Sequence, residues 1–265
     1  MAQDLAGSQG SGTAIDVGWT AQSVDEGRVE GAVAVVIDVL RATTTIASLL
    51  AAGAVRIWPV GAVDEARSLA RTLSEEAQKT GAQRKVLLAG ERKGLPPEGF
   101  DLGNSPLSFD RDMVKGSDVV LTTTNGTQAI ERCRFADRLV TASFVNMGAV
   151  LQWLACEKPS SIYVACAGTE GRFSLDDALA AGCLIARYSA QVDSMLSDGA
   201  LAAKALYERY AREIEEGLGQ AAHAKTLRAL GFGEDVRFAC QVDVLDVIPL
   251  RRVGERVFIE DGGAL

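Results

Sequence analysis

Three times in this chain a short apolar run stops at a loop of acids, threonines, glycine or asparagine, and helical periodicity then resumes. A strand that ends in this way delivers its polar residues to its own carboxyl end, and repeated strand–loop–helix units lead to an α/β sheet. The sharpest case runs from Val33 to Thr45. Val33–Ile37 is wholly apolar, Asp38 ends it, and Arg41, Thr43, Thr44 and Thr45 precede a helical pattern over Ile46 to Ala52. One place thus receives a carboxylate, a guanidinium, hydroxyls and the unpaired N–H groups of a helix start. That set suits a phosphate together with a divalent cation.

Residues 1–13 form a small, polar extension expected to be disordered. From residue 14 to residue 265 the chain reads as one domain, or as two lobes divided near 110–118. Strands are expected at Ala14–Val17, Val33–Ile37, Val55–Val60, Lys85–Ala89, Asp118–Leu121, Arg138–Ala142 and Ile162–Cys166. Helices are expected at Thr44–Ala52, Val63–Lys79, from Thr127 to Cys133, at Met147–Ala155, from Leu175 to Ala190, and throughout 198–240. Val242–Val247 and Arg256–Ile259 read as closing strands. The alternation predicts a three-layer α/β/α fold with a largely parallel or mixed sheet. Thr43–Val60 and Asn125–Ala142 echo each other, which suggests a pseudo-repeat of βαβ units.

Composition enters as exclusion. A net charge of −8 leaves no basic stripe for nucleic acid. No run of about eighteen apolar residues is present to span a bilayer, and the first residues lack a signal pattern, so the cytoplasm is expected. Five scattered cysteines without a C-x-x-C pair argue for reduced thiols. The single histidine, His223, removes mechanisms that need two.

Each candidate residue has a plainer account beside it. A carboxylate ending a buried strand is costly unless paired or metal-bound. Asp38 is therefore a metal ligand or nucleophile, with an Arg41 ion pair as the plain alternative. The long segment 90–106 carries Glu91, a candidate Mg²⁺ ligand, and Arg92, a candidate grip for a second anionic group. A solvated turn is the alternative for both, and is preferred for Lys93. Thr122–Thr127 offers hydroxyls and Gly126 to an anion, against a reading as helix cap and turn. Asp176 and Asp177 are candidate ligands, although Ser174-x-x-Asp177 also matches a capping box. Cys166-x5-Arg172 has the spacing of cysteine phosphatases. Glu170 would repel the phosphate there, so Cys166 as a small buried residue is preferred.

Asp38–Thr45, Gly90–Gly94 with Gly103–Pro106, Thr122–Thr127, Ala142–Asn146 and Cys166–Gly171 through Asp177, in this order, resemble the 2-phosphosulfolactate phosphatase (ComB) family. The resemblance spans roughly residues 14–260 by motif order. It implies a Mg²⁺-dependent phosphatase that converts 2-phospho-3-sulfolactate to 3-sulfolactate, a step of coenzyme M biosynthesis in methanogens. Many bacteria carry members without making that coenzyme.

Residues and resemblance together assign Asp38, Arg41 and Glu91 to catalysis, and Asp38, Glu91, Asp176 and Asp177 to Mg²⁺. Substrate binding is assigned to Thr43, Thr44, Arg92, Asn104, Ser105, Thr123, Thr124, Asn125, Gly126, Thr127, Cys166 and Gly168. The expected partner is a small anionic phosphorylated substrate, with no nucleic acid and no membrane, and a homodimer is the base-rate expectation. Three alternatives stand beside this reading. They are a phosphatase of another phosphorylated hydroxy acid, a metal-free cysteine phosphatase using Cys166 and Arg172, and a non-catalytic anion-binding protein.

Overall fold

In the computed structural model, which describes residues 12–82, 84–253 and 257–263, the apolar runs become strands of one ten-stranded mixed sheet. In chain order the first strands are β1 (Thr13–Gly18), β2 (Val33–Ile37), β3 (Arg56–Pro59), β4 (Val86–Gly90) and β5 (Asp118–Thr122). They are followed by β6 (Arg138–Ala142), β7 (Ser161–Cys166), β8 (Ser194–Leu196), β9 (Pro249–Val253) and β10 (Val257–Asp261). The helices begin with α1 (Glu26–Val29), α2 (Ala42–Ala51), α3 (Val63–Thr80), α4 (Arg111–Val114) and α5 (Gly126–Arg132). Next come α6 (Met147–Glu157), α7 (Leu175–Ser189), α8 (Asp198–Tyr210), α9 (Ile214–Gly219), α10 (Ala222–Ala229) and α11 (Gly233–Ala239).

The strand order is β4-β5-β3-β10-β9-β6-β2-β7-β1-β8. Strands β6, β2, β7, β1 and β8 are mutually parallel, as are β4, β5 and β3. Between the two sets lies the β9–β10 hairpin, antiparallel within itself, to β3 and to β6. Three antiparallel steps reverse direction, so the two parallel half-sheets run in opposite senses. The segments β2–α2–β3 and β5–α5–β6 each start in one half and land in the other, in opposite directions. This is where the internal echo of the sequence falls. The sheet is thus mixed, as expected, and the ligand loops belong to the carboxyl ends of two opposed half-sheets.

Burial follows from the same arrangement. One core joins both halves, with Ala34, Val36 and Leu139 of one half and Ile57, Val119 and Leu87 of the other, covered by α2 and α5. A second core lies on the opposite face of the β6–β2–β7–β1 half, beneath α6, α7 and α8. A third packs α3 on Trp58 and Val120. Helix α2 is buried over nearly its whole length. An all-round buried helix must satisfy its polar side chains internally, which decides the fate of its threonines.

Several boundaries differ from the sequence reading. Residues 1–11 of the expected disordered extension lie outside the described residues, and β1 already includes Thr13. Val242–Val247 is not a strand. Its N–H groups at Asp243 and Leu245 bond to Phe144 O and Val145 O, outside the sheet, and the sheet strand starts at Pro249. The region 198–240 divides into α8 to α11, and β8 was hidden because its three residues carry no apolar run.

Candidate active site

Asp38 stands at the end of β2, where the chain turns into α2. The turn closes on itself. The Thr43 N–H and hydroxyl both donate to Asp38 O, at 2.9 and 2.8 Å, and the Ala42 N–H donates to Asp38 Oδ1 at 3.2 Å. The residue is only 6 % exposed. Burial raises its carboxyl from the ordinary range to about 7, Asp176 and Glu91 push the same way, and the Ala42 N–H and Arg41 pull it back. Its other oxygen lies against α5. A Cβ added at Gly126 would sit 2.7 Å from Asp38 Oδ2 and 2.4 Å from Ala42 Cβ. Here the loops of the two half-sheets meet, and only glycine allows the approach. Gly126→Ala is expected to lower stability by about 1–3 kcal/mol and to displace Asp38, read as a lower melting temperature with reduced turnover.

The four expected metal-ligating acids divide into two pairs. Both Glu91 oxygens accept main-chain N–H groups, from Thr124 at 2.8 Å and Gly94 at 2.9 Å. Both Asp177 oxygens do likewise, from Val39 and Gly168 at 2.9 Å each. These two acids clamp loops together across the site. Asp38 and Asp176 form the other pair. Burial raises the Asp176 carboxyl, with Ser174 and His223 lowering it. The Asp177 carboxyl is raised well above its usual range by burial and then by Asp176 and Asp38. Among the described residues no three His, Cys, Asp or Glu side chains form a group able to hold one metal ion by themselves.

Arg41 does not pair with Asp38. Its guanidinium donates to Asp235 Oδ2 at 2.7 Å and to Gly94 O at 2.9 Å, and lies 4.3 Å over the Phe232 ring. Asp235 Oδ1 in turn accepts from Ser105 Oγ at 2.7 Å. Three of the threonine hydroxyls expected to face the anion donate to carbonyls instead: Thr43 to Asp38, Thr44 to Val39, Thr127 to Thr123. Thr123 Oγ1 accepts the Thr127 N–H, and Asn125 Oδ1 accepts the Glu170 N–H at 3.2 Å, joining the β5 and β7 loops. Arg92 spends both terminal nitrogens on Glu91 O, Gly61 O and Thr122 Oγ1, so it frames the loop and does not reach for an anion. Asn104 stays open: its carbonyl accepts from Thr45, while buried Oδ1 has no partner.

Cys166 is a correction. Its thiol belongs to the apolar core under α6 and α7, not to the ligand face. Burial, then Asp177 and Asp176, push it well above the usual thiol range. That is opposite to what an attacking thiolate requires, and Arg172 is exposed. Gly168, φ +70°, serves the site through its N–H to Asp177.

Sequence reasoning passed over Asp235, Phe232 and Ser143. Asp235 in Gly-Glu-Asp reads as an ordinary acid at a helix start, and nothing local marks it as the partner of a residue 194 positions away. Ser143 lies in the motif Ala142–Asn146 but carries no signal beyond that. His223 stood out only as the single histidine, and it lies near enough to Asp176 to lower that carboxyl.

The 2-phosphosulpholactate phosphatase family model matches residues 19–254. A probable 2-phosphosulfolactate phosphatase of Thermotoga petrophila is 43% identical over 221 residues, covering 83% of this chain and 89% of the relative. The protein of that name in Clostridium perfringens is 38% identical over 248 residues, 94% of this chain and 97% of the relative. Its counterpart in Deinococcus radiodurans is 39% identical over 226 residues, covering 85% and 90%.

Proposed function

Because this chain belongs to the 2-phosphosulpholactate phosphatase family, we propose that it hydrolyses the phosphomonoester of 2-phospho-3-sulfolactate to 3-sulfolactate and phosphate, with Mg²⁺ as cofactor. The observation that supports this most is the concentration of buried acids, Asp38, Asp176 and Asp177, in which burial raises all three carboxyls and Asp176 pushes those of Asp38 and Asp177 further up. Such a cluster is stabilised by a cation, and the donors are hard oxygens of the kind Mg²⁺ takes. That ion uses one or two carboxylates and completes its shell with water and substrate phosphate. Asp38 and Asp176 fit this role, since Glu91 and Asp177 are bonded to main-chain N–H groups on both oxygens. The chemistry a bound Mg²⁺ supplies is charge neutralisation at the phosphoryl oxygens.

The remaining work falls to the protein. The amino end of α2, turned toward Asp38, favours the phosphoryl group through its dipole. Asn104, whose side-chain amide is not bound on its oxygen, is the residue left to meet the substrate's other polar end, through the amide N–H donors. Helices α10 and α11 bring His223 to Asp176 and Asp235 to Arg41, and their cover excludes bulk water from the acids. Phosphate-monoester hydrolysis is among the slowest uncatalysed reactions, so this preorganisation is where the acceleration resides.

No helix among the described residues is long and apolar enough to cross a membrane. We assign the enzyme to the cytoplasm, acting on a small anionic substrate.

The test is phosphate release from phosphosulfolactate and a panel of other phosphorylated hydroxy acids, with Mg²⁺ and with EDTA. Release is expected to stop with EDTA and to return with Mg²⁺, and Cys166→Ser is expected to keep turnover within about threefold of the unaltered enzyme, since the thiol faces the core. Release that survives EDTA and vanishes in Cys166→Ser would establish the cysteine mechanism instead. No release at any metal concentration would leave an anion-binding protein.

A further inference from the structure

Two buried hydroxyls on one strand have no hydrogen-bond partner: Thr141 Oγ1 within β6 and Ser143 Oγ just beyond its end. Both residues are fully buried. A hydroxyl in that state has given up its bonds to water without replacement, at a cost to stability. Their positions differ. Thr141 sits inside the strand in register with Val36. Ser143 follows the last register pair, Ile37 with Ala142, and so stands level with Asp38 on the neighbouring strand.

Ile37 and Ala142 face the core under α6 and α7. Alternation turns the next residue of each strand toward the opposite face, where Ala42 and Gly126 border the Asp38 carboxylate. The main chain of Ser143 is fixed there. Its N–H donates to Asn146 Oδ1 at 2.9 Å, and Asn146 Nδ2 donates to Thr141 O and Val247 O at 3.3 Å each. The backbone is held while the hydroxyl has no internal claim on it, which is how a preorganised donor for a ligand is built.

We propose that Ser143 is a substrate-binding residue whose hydroxyl donates to a phosphoryl oxygen of the anion held beside Asp38. The assignment rests on the phosphatase reading above and adds a contact that Thr43, Thr44 and Thr127, whose hydroxyls donate to carbonyls, do not supply. Thr141, one pleat deeper, is the internal control: the same orphan state, with no route to the anion.

The experiment titrates inorganic phosphate calorimetrically into the unaltered protein, Ser143→Ala and Thr141→Val, each with Mg²⁺, and records the melting temperature of each without phosphate. Ser143→Ala is expected to weaken phosphate binding by about 10–100-fold, as for a lost hydrogen bond to a charged group, while melting at or above the unaltered protein. Thr141→Val is expected to melt at or above it too, with phosphate affinity unchanged. Three outcomes overturn the assignment: Ser143→Ala binding phosphate as the unaltered protein does, its weakened binding arriving with a lowered melting temperature, or an unaltered protein that takes up no phosphate. Loss of phosphate binding in Ser143→Ala without turnover of any ester by the unaltered protein would keep the assignment and end the phosphatase reading.

Discussion

Asp38→Asn is expected to reduce phosphate release by about a thousandfold or more and, at the same time, to make the metal-free protein more stable above neutral pH. The two effects share one cause. In the unfolded chain this carboxyl loses its proton near 3.8, and in the fold near 7, because burial disfavours the anion and Asp176 and Glu91 add to that. Between those values the folded state holds a proton that the unfolded state has released. Stability therefore falls as pH rises across that interval and stays low above it. Asparagine has no proton to lose, so the variant escapes the fall. The shift corresponds to about 4 kcal/mol, or about 10 °C in melting temperature for a chain of this size. Melting curves in EDTA at pH 4.5 and pH 8 measure it: near-equality with the unaltered protein at the lower pH and a gain at the higher. Near-normal turnover, or no gain at pH 8, would remove Asp38 from the proposed role.

Asp235→Ala is expected to carry the largest loss of stability. Arg41 and Asp235 have side chains 2 % and 4 % exposed, so removal of the acid leaves a guanidinium buried without its partner. Breaking a buried pair in this way costs about 3–5 kcal/mol, about 10 °C in melting temperature. Turnover should fall as well, since Arg41 heads α2, spans to Gly94 and lowers the Asp38 carboxyl. The reciprocal control is Arg41→Met with Asp235→Leu. Apolar residues of similar volume replace a buried ion pair at little cost, so the double variant should recover most of the stability, with a coupling of about 2 kcal/mol or more in the double-mutant cycle. Additive losses would show that the two residues act independently.

Asp235 also marks the boundary of what local sequence can show. The strand–loop–helix units at Val33–Thr45, Asp118–Thr127 and Ile162–Asp177 were legible because an apolar run has to be buried and its polar terminus has to emerge at the carboxyl end. Those units brought Asp38, Asp176 and Asp177 into consideration, and the strand end before segment 90–106 brought Glu91; in the fold Asp176 and Glu91 act on the Asp38 carboxyl, and Asp176 and Asp38 on that of Asp177. That Glu91 and Asp177 would have both oxygens bonded to main-chain N–H groups, and Asp38 and Asp176 would not, was not legible. It depends on which amides the opposing loops present.

The threonines teach the same lesson from the other side. Thr43, Thr44 and Thr127 look like anion donors in sequence, yet each hydroxyl lies within reach of a nearby carbonyl once its helix is buried. Ser143, which looks like nothing in particular, is left with a hydroxyl that no protein group claims.

By itself the sequence determined the α/β class, the places where strands give way to polar loops, and the acids those loops carry, because these follow from periodicity and from the cost of burying charge. Tertiary structure alone decided that the two half-sheets run in opposite senses around the β9–β10 hairpin. It alone decided that Gly126 closes on Asp38 and that Asp235 takes Arg41. The physical reason is that strand direction and side-chain partnership are set by contacts between segments distant in the chain, and periodicity carries no record of which segment lies opposite.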